Sequence, residues 1–178
     1  MSDEIVPLSP GISAPLFSLP DVRTGQTVSL ADYAGQLVVV NFWSPECPWS
    51  NYYDPYWNQR APVWAEQGIG LIQINSNANE TVDELVMMAN EFGLIGPVLR
   101  DEGNVVADSY GATNTPHIYV VGGDGLLVYT GAIDDRNFRQ KEPTINYLDA
   151  ALENLLAGQF PSPDQTPAYG CTIVRDFD

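Results

Sequence analysis

Two stretches of this chain are mainly apolar. Leu37 to Trp43 (LVVVNFW) and Ile69 to Ser76 (IGLIQINS) are rich in β-branched residues and read as strands buried on both faces. Elsewhere the apolar residues recur at helical intervals. From Pro48 to Gln67 they fall at 49, 52/53, 56/57, 61 and 64, with Pro55 and Pro62 interrupting, so a kinked helix is expected. Asn79 to Glu84 opens a helix running to Phe92, with acidic residues in its first turn as the helix dipole prefers. Apolar positions 145, 148, 151/152 and 155/156 predict a helix from Thr144 to Ala157. Shorter signals fill the gaps: two strands around the turn Arg23–Gln26, one helical turn at 30–35, a strand at 97–100 and a helix from Val105 to Tyr110 stopped by Gly111. His117–Val121, the turn Gly122–Gly125 and Leu126–Tyr129 form a hairpin.

The resulting alternation of strands and helices predicts an α/β fold. A central mixed sheet carries helices on both faces and ends in an antiparallel hairpin. The length of 178 residues fits a single domain. Residues 1–10 read as an N-terminal arm, 11–157 as the core, and 158–178 as an irregular, Pro-rich tail that carries Cys171.

Charge narrows the partners. Seven Lys and Arg against 23 Asp and Glu give a net charge of −16. That excludes nucleic acid and anionic membranes as the expected partners. No run approaches the roughly 20 apolar residues of a membrane span. The opening MSDEIVPLSPG has neither the basic segment nor the apolar core of a signal peptide. A cytoplasmic protein is expected if the chain is full length, and an exported one if a leader has been removed. The acidic surface reads first as a solvated surface.

Two cysteines are too few for a disulfide scaffold. Cys47 stands where the first buried strand gives way to a helix, and a helix N-terminus favours thiolate over thiol. Its alternative is a small buried hydrophobe. Ser50 stands where a dithiol enzyme has its second cysteine. Its hydroxyl is placed to donate to the Cys47 thiolate, or it is a plain first-turn serine. The tail segment 158–170 spans at most about 40 Å when extended, against a radius of gyration of about 16 Å for such a domain. Cys171 can therefore reach Cys47 in its own subunit or a neighbour's, or remain a free thiol. His117 is the only histidine, too few ligands for a metal site, and reads as a hydrogen-bonded strand residue. No metal and no cofactor is expected. The four Trp lie at 43, 49, 57 and 64, among Tyr52, Tyr53 and Tyr56. They read mainly as packing, with a homodimer face as the other reading of the tyrosines and Trp49 as a partner contact.

At this point a resemblance adds to the pattern. The opening GISAPLFSLPDVRTGQTVSLADYAGQLVVVNFW, the strand–Cys–helix unit and Thr115-Pro116 before a hairpin resemble the thioredoxin-like superfamily. Within it the chain is similar to the redoxins, the alkyl hydroperoxide reductase and thiol-specific antioxidant family, as a single-cysteine C-x-x-S variant. The resemblance covers residues 11–157 and implies a three-layer α/β/α fold. It places Cys47 on the family's nucleophile, Pro55 on a helix-kinking proline, and Pro116 on a cis-proline whose preceding residue, Thr115, pairs with an extended partner. The tail Gly170-Cys171-Thr172-Ile173 resembles the ending of some single-cysteine redoxins. The departures are Ser50 for the second cysteine, Glu46 for a Trp, Asn41 for a buried acid, and Val40 for the peroxiredoxin proline.

These readings imply a thiol-dependent redox protein, with Cys47 as nucleophile and Cys171 as the candidate resolving thiol. The substrate is a disulfide of a protein partner or a small peroxide, as in an antioxidant enzyme, with an external thiol as reductant. The alternative is a redox-inactive redoxin fold used for binding or chaperone work.

Overall fold

The computed structural model describes residues 4–176. Its central sheet has five strands: β3 (Leu37–Phe42), β4 (Ile69–Asn75), β5 (Val98–Arg100), β7 (His117–Val121) and β8 (Leu127–Gly131). Their order is β5-β4-β3-β7-β8. The pairs β3–β4 and β4–β5 are parallel, and β3–β7 and β7–β8 antiparallel. This is the mixed sheet of the thioredoxin-like class. The first two strands, β1 (Ser18–Pro20) and β2 (Thr27–Ser29), form a separate small ribbon.

Both faces of the sheet are covered, which explains the mainly apolar runs. Val38, Val40 and Phe42 pack with Ile72, Ile74, Tyr110 and Tyr119 on one side. Helix α4 (Val105–Tyr110) supplies Tyr110. Val39, Leu71 and Ile118 meet Trp57 and Trp64 of α2 (Asp54–Glu66) and Leu148 of α5 (Tyr147–Leu156) on the other. Helix α3 (Val82–Glu91) sets Leu85 and Ala89 against Trp43 and Val98. No helix among the described residues is long and apolar enough to cross a membrane.

Three elements differ from the sequence pattern. The long helix after Cys47 is two helices, α1 (Pro48–Asn51) and α2, which restarts just before Pro55. A proline lacks the N–H and collides with the carbonyl four residues back, yet is accepted in a first helical turn. Helix α5 begins at Tyr147 rather than Thr144. Asp135 takes the backbone N–H groups of Thr144 and Ile145, and the Asn146 side chain caps Asp149 N at 2.8 Å. The tail is not free of structure either. Its short strand β9 (Cys171–Thr172) pairs antiparallel with β6 (Asn114–Thr115).

Candidate redox site

The turn carrying Cys47 is built by its own side chains. Trp43 extends the β3–β4 ladder by one bond, donating its N–H to Ile74 O at 2.8 Å. The chain then reverses. Ser44 N donates to Ser50 Oγ at 3.2 Å, Glu46 N to Ser44 Oγ at 3.3 Å, and Asn51 Nδ2 to Pro45 O at 2.8 Å. Cys47 becomes the residue that precedes α1. It is 2% exposed.

Cys171 arrives from the opposite side. β9 lies along β6, with Cys171 opposite Thr115. The Thr115–Pro116 bond is cis. Gly170 is required here, since a Cβ at this position would run into the carbonyl of Thr115. Cys47 and Cys171 are joined by a disulfide, with Cα atoms 6.0 Å apart. Thr115 O lies 3.3 Å from Cys47 Sγ. A disulfide sulfur has no proton to give, so this is a contact that a reduced Cys47 thiol can turn into a hydrogen bond. Cys171 is the more exposed of the pair.

A buried polar network ties the two segments together. Glu80 is 3% exposed. Its carboxylate accepts from Ser44 Oγ at 2.6 Å, from Asn75 Nδ2 at 2.5 Å and from Asn77 Nδ2 at 3.0 Å. Asn77 Oδ1 accepts in turn from Val174 N at 2.7 Å. Arg100 Nη1 reaches Asn75 Oδ1 and Asn77 O. One carboxylate thus bridges the turn before Cys47 and the strand after Cys171. Ala78 N to Val174 O, Ile173 N to Thr113 O and the Asn104 side chain add further bonds to the tail. Sequence reading took Glu80 only as an acid opening a helix. No local signal marks it, because its partners lie up to 36 residues away.

The remaining residues singled out by the sequence fall as follows. Ser50 is fully buried, and its hydroxyl accepts from Ser44 N rather than donating to Cys47 in this oxidised form. Trp49 is half-buried and packs edge-on against Phe138, centroids 4.9 Å apart. Trp43, Trp57 and Trp64 are core residues. His117 is a buried strand residue whose Nδ1 accepts from Thr113 N at 3.3 Å, and burial pushes its pKa down to about 3. Asn41 pairs its amide with Gln73 at 2.7 Å. A second buried acid, absent from the sequence reading, stands in the first turn of α2. Asp54 Oδ1 accepts from Trp43 Nε1 at 3.0 Å, its Oδ2 has no partner, and burial raises its pKa to about 7.

Comparison with known proteins follows the same lines. The model of the AhpC/TSA family matches residues 10–130. The chain is 29% identical over 132 residues to the thiol-disulfide oxidoreductase ResA of Geobacillus thermodenitrificans, covering 73% of this chain and 74% of that protein. Among solved structures, an uncharacterized conserved protein from Geobacillus kaustophilus superposes with a TM-score of 0.88 at 30% identity, over 95% of this chain and 93% of that one. The thioredoxin domain of a thiol-disulfide oxidoreductase from Bacteroides vulgatus gives 0.62 at 25% identity, over 69% of this chain and 88% of that one.

Proposed function

The chain belongs to the AhpC/TSA family, and on that premise we propose that it is a thiol–disulfide oxidoreductase whose redox pair is Cys47 and Cys171. The observation that carries this reading is their junction across a sequence separation of 124 residues. The two thiols do the work of a C-x-x-C motif from two remote segments, with Ser50 left as a structural hydroxyl.

In the reduced protein the Cys47 thiolate attacks one sulfur of a partner disulfide. That S–S bond breaks, one partner thiol leaves, and a mixed disulfide remains. Cys171 then attacks Cys47 Sγ, expels the second partner thiol and closes the Cys47–Cys171 bond. Two protein thiols are oxidised and one partner disulfide is reduced to two thiols, a transfer of two electrons and two protons. Two equivalents of an external thiol restore the dithiol: the first opens the Cys47–Cys171 bond to a mixed disulfide, and the second displaces that mixed disulfide as the external disulfide. Cys171, the more exposed sulfur, is the accessible point of attack, and Cys47 leaves as the thiolate that the helix start favours. A bond held this way persists outside a reducing cytoplasm, which supports an exported setting. Val40 stands in place of the peroxiredoxin proline, and the Ser44 hydroxyl beside the site is committed to Glu80. Disulfides are therefore favoured over peroxides as the substrate.

The test is a trap. Cys171→Ser, reduced and mixed with a peptide disulfide, should accumulate a Cys47–peptide adduct visible by mass spectrometry. Cys47→Ser should form none. An adduct on neither variant, or hydrogen peroxide consumed faster than the peptide disulfide is reduced, overturns the assignment.

A further inference from the structure

The seven basic residues of this acidic chain are not spread evenly. Arg136, Arg139 and Lys141 fall within six positions, on the loop that faces α1 and the tail. Of the other four, Arg60, Arg100 and Arg175 form ion pairs with Asp149, Glu102 and Asp108, and Arg23 donates to the carbonyls of Leu94 and Gly96. The three loop cations form no ion pair among the described residues. The acids beside them are engaged by other donors. Asp134 accepts from Tyr53 Oη and from Arg136 N, and Asp135 from Gln140 Nε2, Thr144 N, Thr144 Oγ1 and Ile145 N. Glu142 on the loop and Glu46 beside Cys47 are exposed to solvent.

Aromatic rings hold two of them, Arg136 and Lys141, instead. The Arg136 guanidinium lies 4.3 Å from the centroid of Trp49 and 4.0 Å from that of Tyr52, and Lys141 Nζ lies 4.8 Å from that of Trp49. Phe138, 58% exposed, packs between Trp49 and Tyr169, with centroids 4.9 and 5.5 Å away. Trp49 is two residues after Cys47, and Tyr169 two before Cys171. The platform therefore flanks the disulfide from both of its segments. Meanwhile β9 covers the backbone edge of Thr115, so an extended partner strand cannot add there.

We propose that this aromatic and cationic platform is where the redox partner docks, and that the partner is a protein segment with carboxylates within a few residues of its cysteine. The proposal rests on the thiol–disulfide reading and names the partner chemistry for it. The exposed Arg139 and Lys141, and Arg136, whose buried Nε and Nη1 lack a hydrogen-bond partner, attract such a segment locally against the net charge of −16, and the rings supply apolar contact area.

The test uses short peptides with a central cysteine, presented as disulfides and flanked by Asp and Glu, by Ser and Gly, or by Lys. The reduced wild-type protein should act on the acidic peptide about 10-fold faster than on the neutral one at low salt, with the advantage shrinking as salt screens it. Arg136→Gln and, separately, the exposed Lys141→Glu should erase the preference. Equal rates for acidic and neutral peptides, or faster reaction of the Lys-flanked peptide, overturn the proposal. Binding of the same peptides with Ser in place of Cys, read by tryptophan fluorescence of the oxidised protein, separates docking from chemistry. Tighter acidic binding without any exchange overturns the redox reading and keeps the docking surface. Exchange without acidic preference in either assay does the opposite.

Discussion

The two cysteine-bearing segments are held in opposite ways. Around Cys47 the fastenings are short-range: Ser44, Glu46, Ser50 and Asn51 bond within a span of eight residues at the end of a central strand. Around Cys171 they are all remote, to Thr113, Thr115, Asn77, Ala78 and Asn104. Two groups touch both systems: Glu80, through Ser44 and Asn77, and Thr115, which pairs with Cys171 and sets its carbonyl 3.3 Å from Cys47 Sγ. The difference teaches that a disulfide pair need not come from one motif. A local turn places one sulfur, and scattered hydrogen bonds can place its mate.

The sharpest break in this comparison is to cut the covalent link. Cys171→Ser should lower the unfolding free energy of the oxidised protein by about 5 kcal/mol, the chain-entropy value for a loop this long. Urea denaturation with and without reductant measures it. The wild type should lose about as much on reduction, whereas the reduced variant and the reduced wild type should unfold nearly together.

Removing the shared carboxylate comes next. Glu80→Ala strands three buried donors, those of Ser44, Asn75 and Asn77, at about 1–3 kcal/mol each. Stability should fall by about 3 kcal/mol or more, and closure of the disulfide from the dithiol should slow. Ser50→Ala, which loses one acceptor on the Cys47 side alone, should cost less and leave the tail in place.

A change confined to the tail tests the other side. Gly170→Ala forces the new methyl against Thr115 O and should push β9 off β6. Closure of the Cys47–Cys171 bond, followed by loss of free thiols under a mild oxidant, should slow by about 10-fold, or about 1.4 kcal/mol in the barrier. Attack by Cys47 on a small disulfide should stay near the wild-type rate.

The last test is a pH dependence at Asp54, beside the local turn. Its folded pKa of about 7 lies above the ordinary carboxylate value of 3.8, because burial favours the neutral acid. Its contribution to stability is thus fully present below about pH 4 and lost as pH rises through about 7. Asp54→Asn keeps the acceptor for Trp43 Nε1 and cannot ionise. Denaturation across pH 4 to 8 should show the variant with a flatter profile and greater relative stability at the alkaline end.

Much of the scaffold was legible because it is encoded by neighbours. The run Leu37–Trp43 announces a strand buried on both faces, and β3 is one, with Val39 on one side and Val38 and Val40 on the other. The helix starts were less legible where a distant group competes for backbone N–H groups, as Asp135 does at Thr144 and Ile145. Of the site, Cys47 was readable as the end of a strand, while Glu80 and the Arg136–Lys141 loop carried no local mark. Val174 and Asn77 are 97 residues apart, beyond any periodicity.

The sequence by itself determined most of the alternation of strands and helices, the place of one cysteine at a strand–helix junction, and the family, since these follow from side-chain period and short-range pattern. The tertiary structure alone decided that the second thiol is Cys171. Sequence length allowed that tail to reach Cys47 in either subunit or neither. Its place was set by hydrogen bonds to segments that only the folded sheet brings alongside.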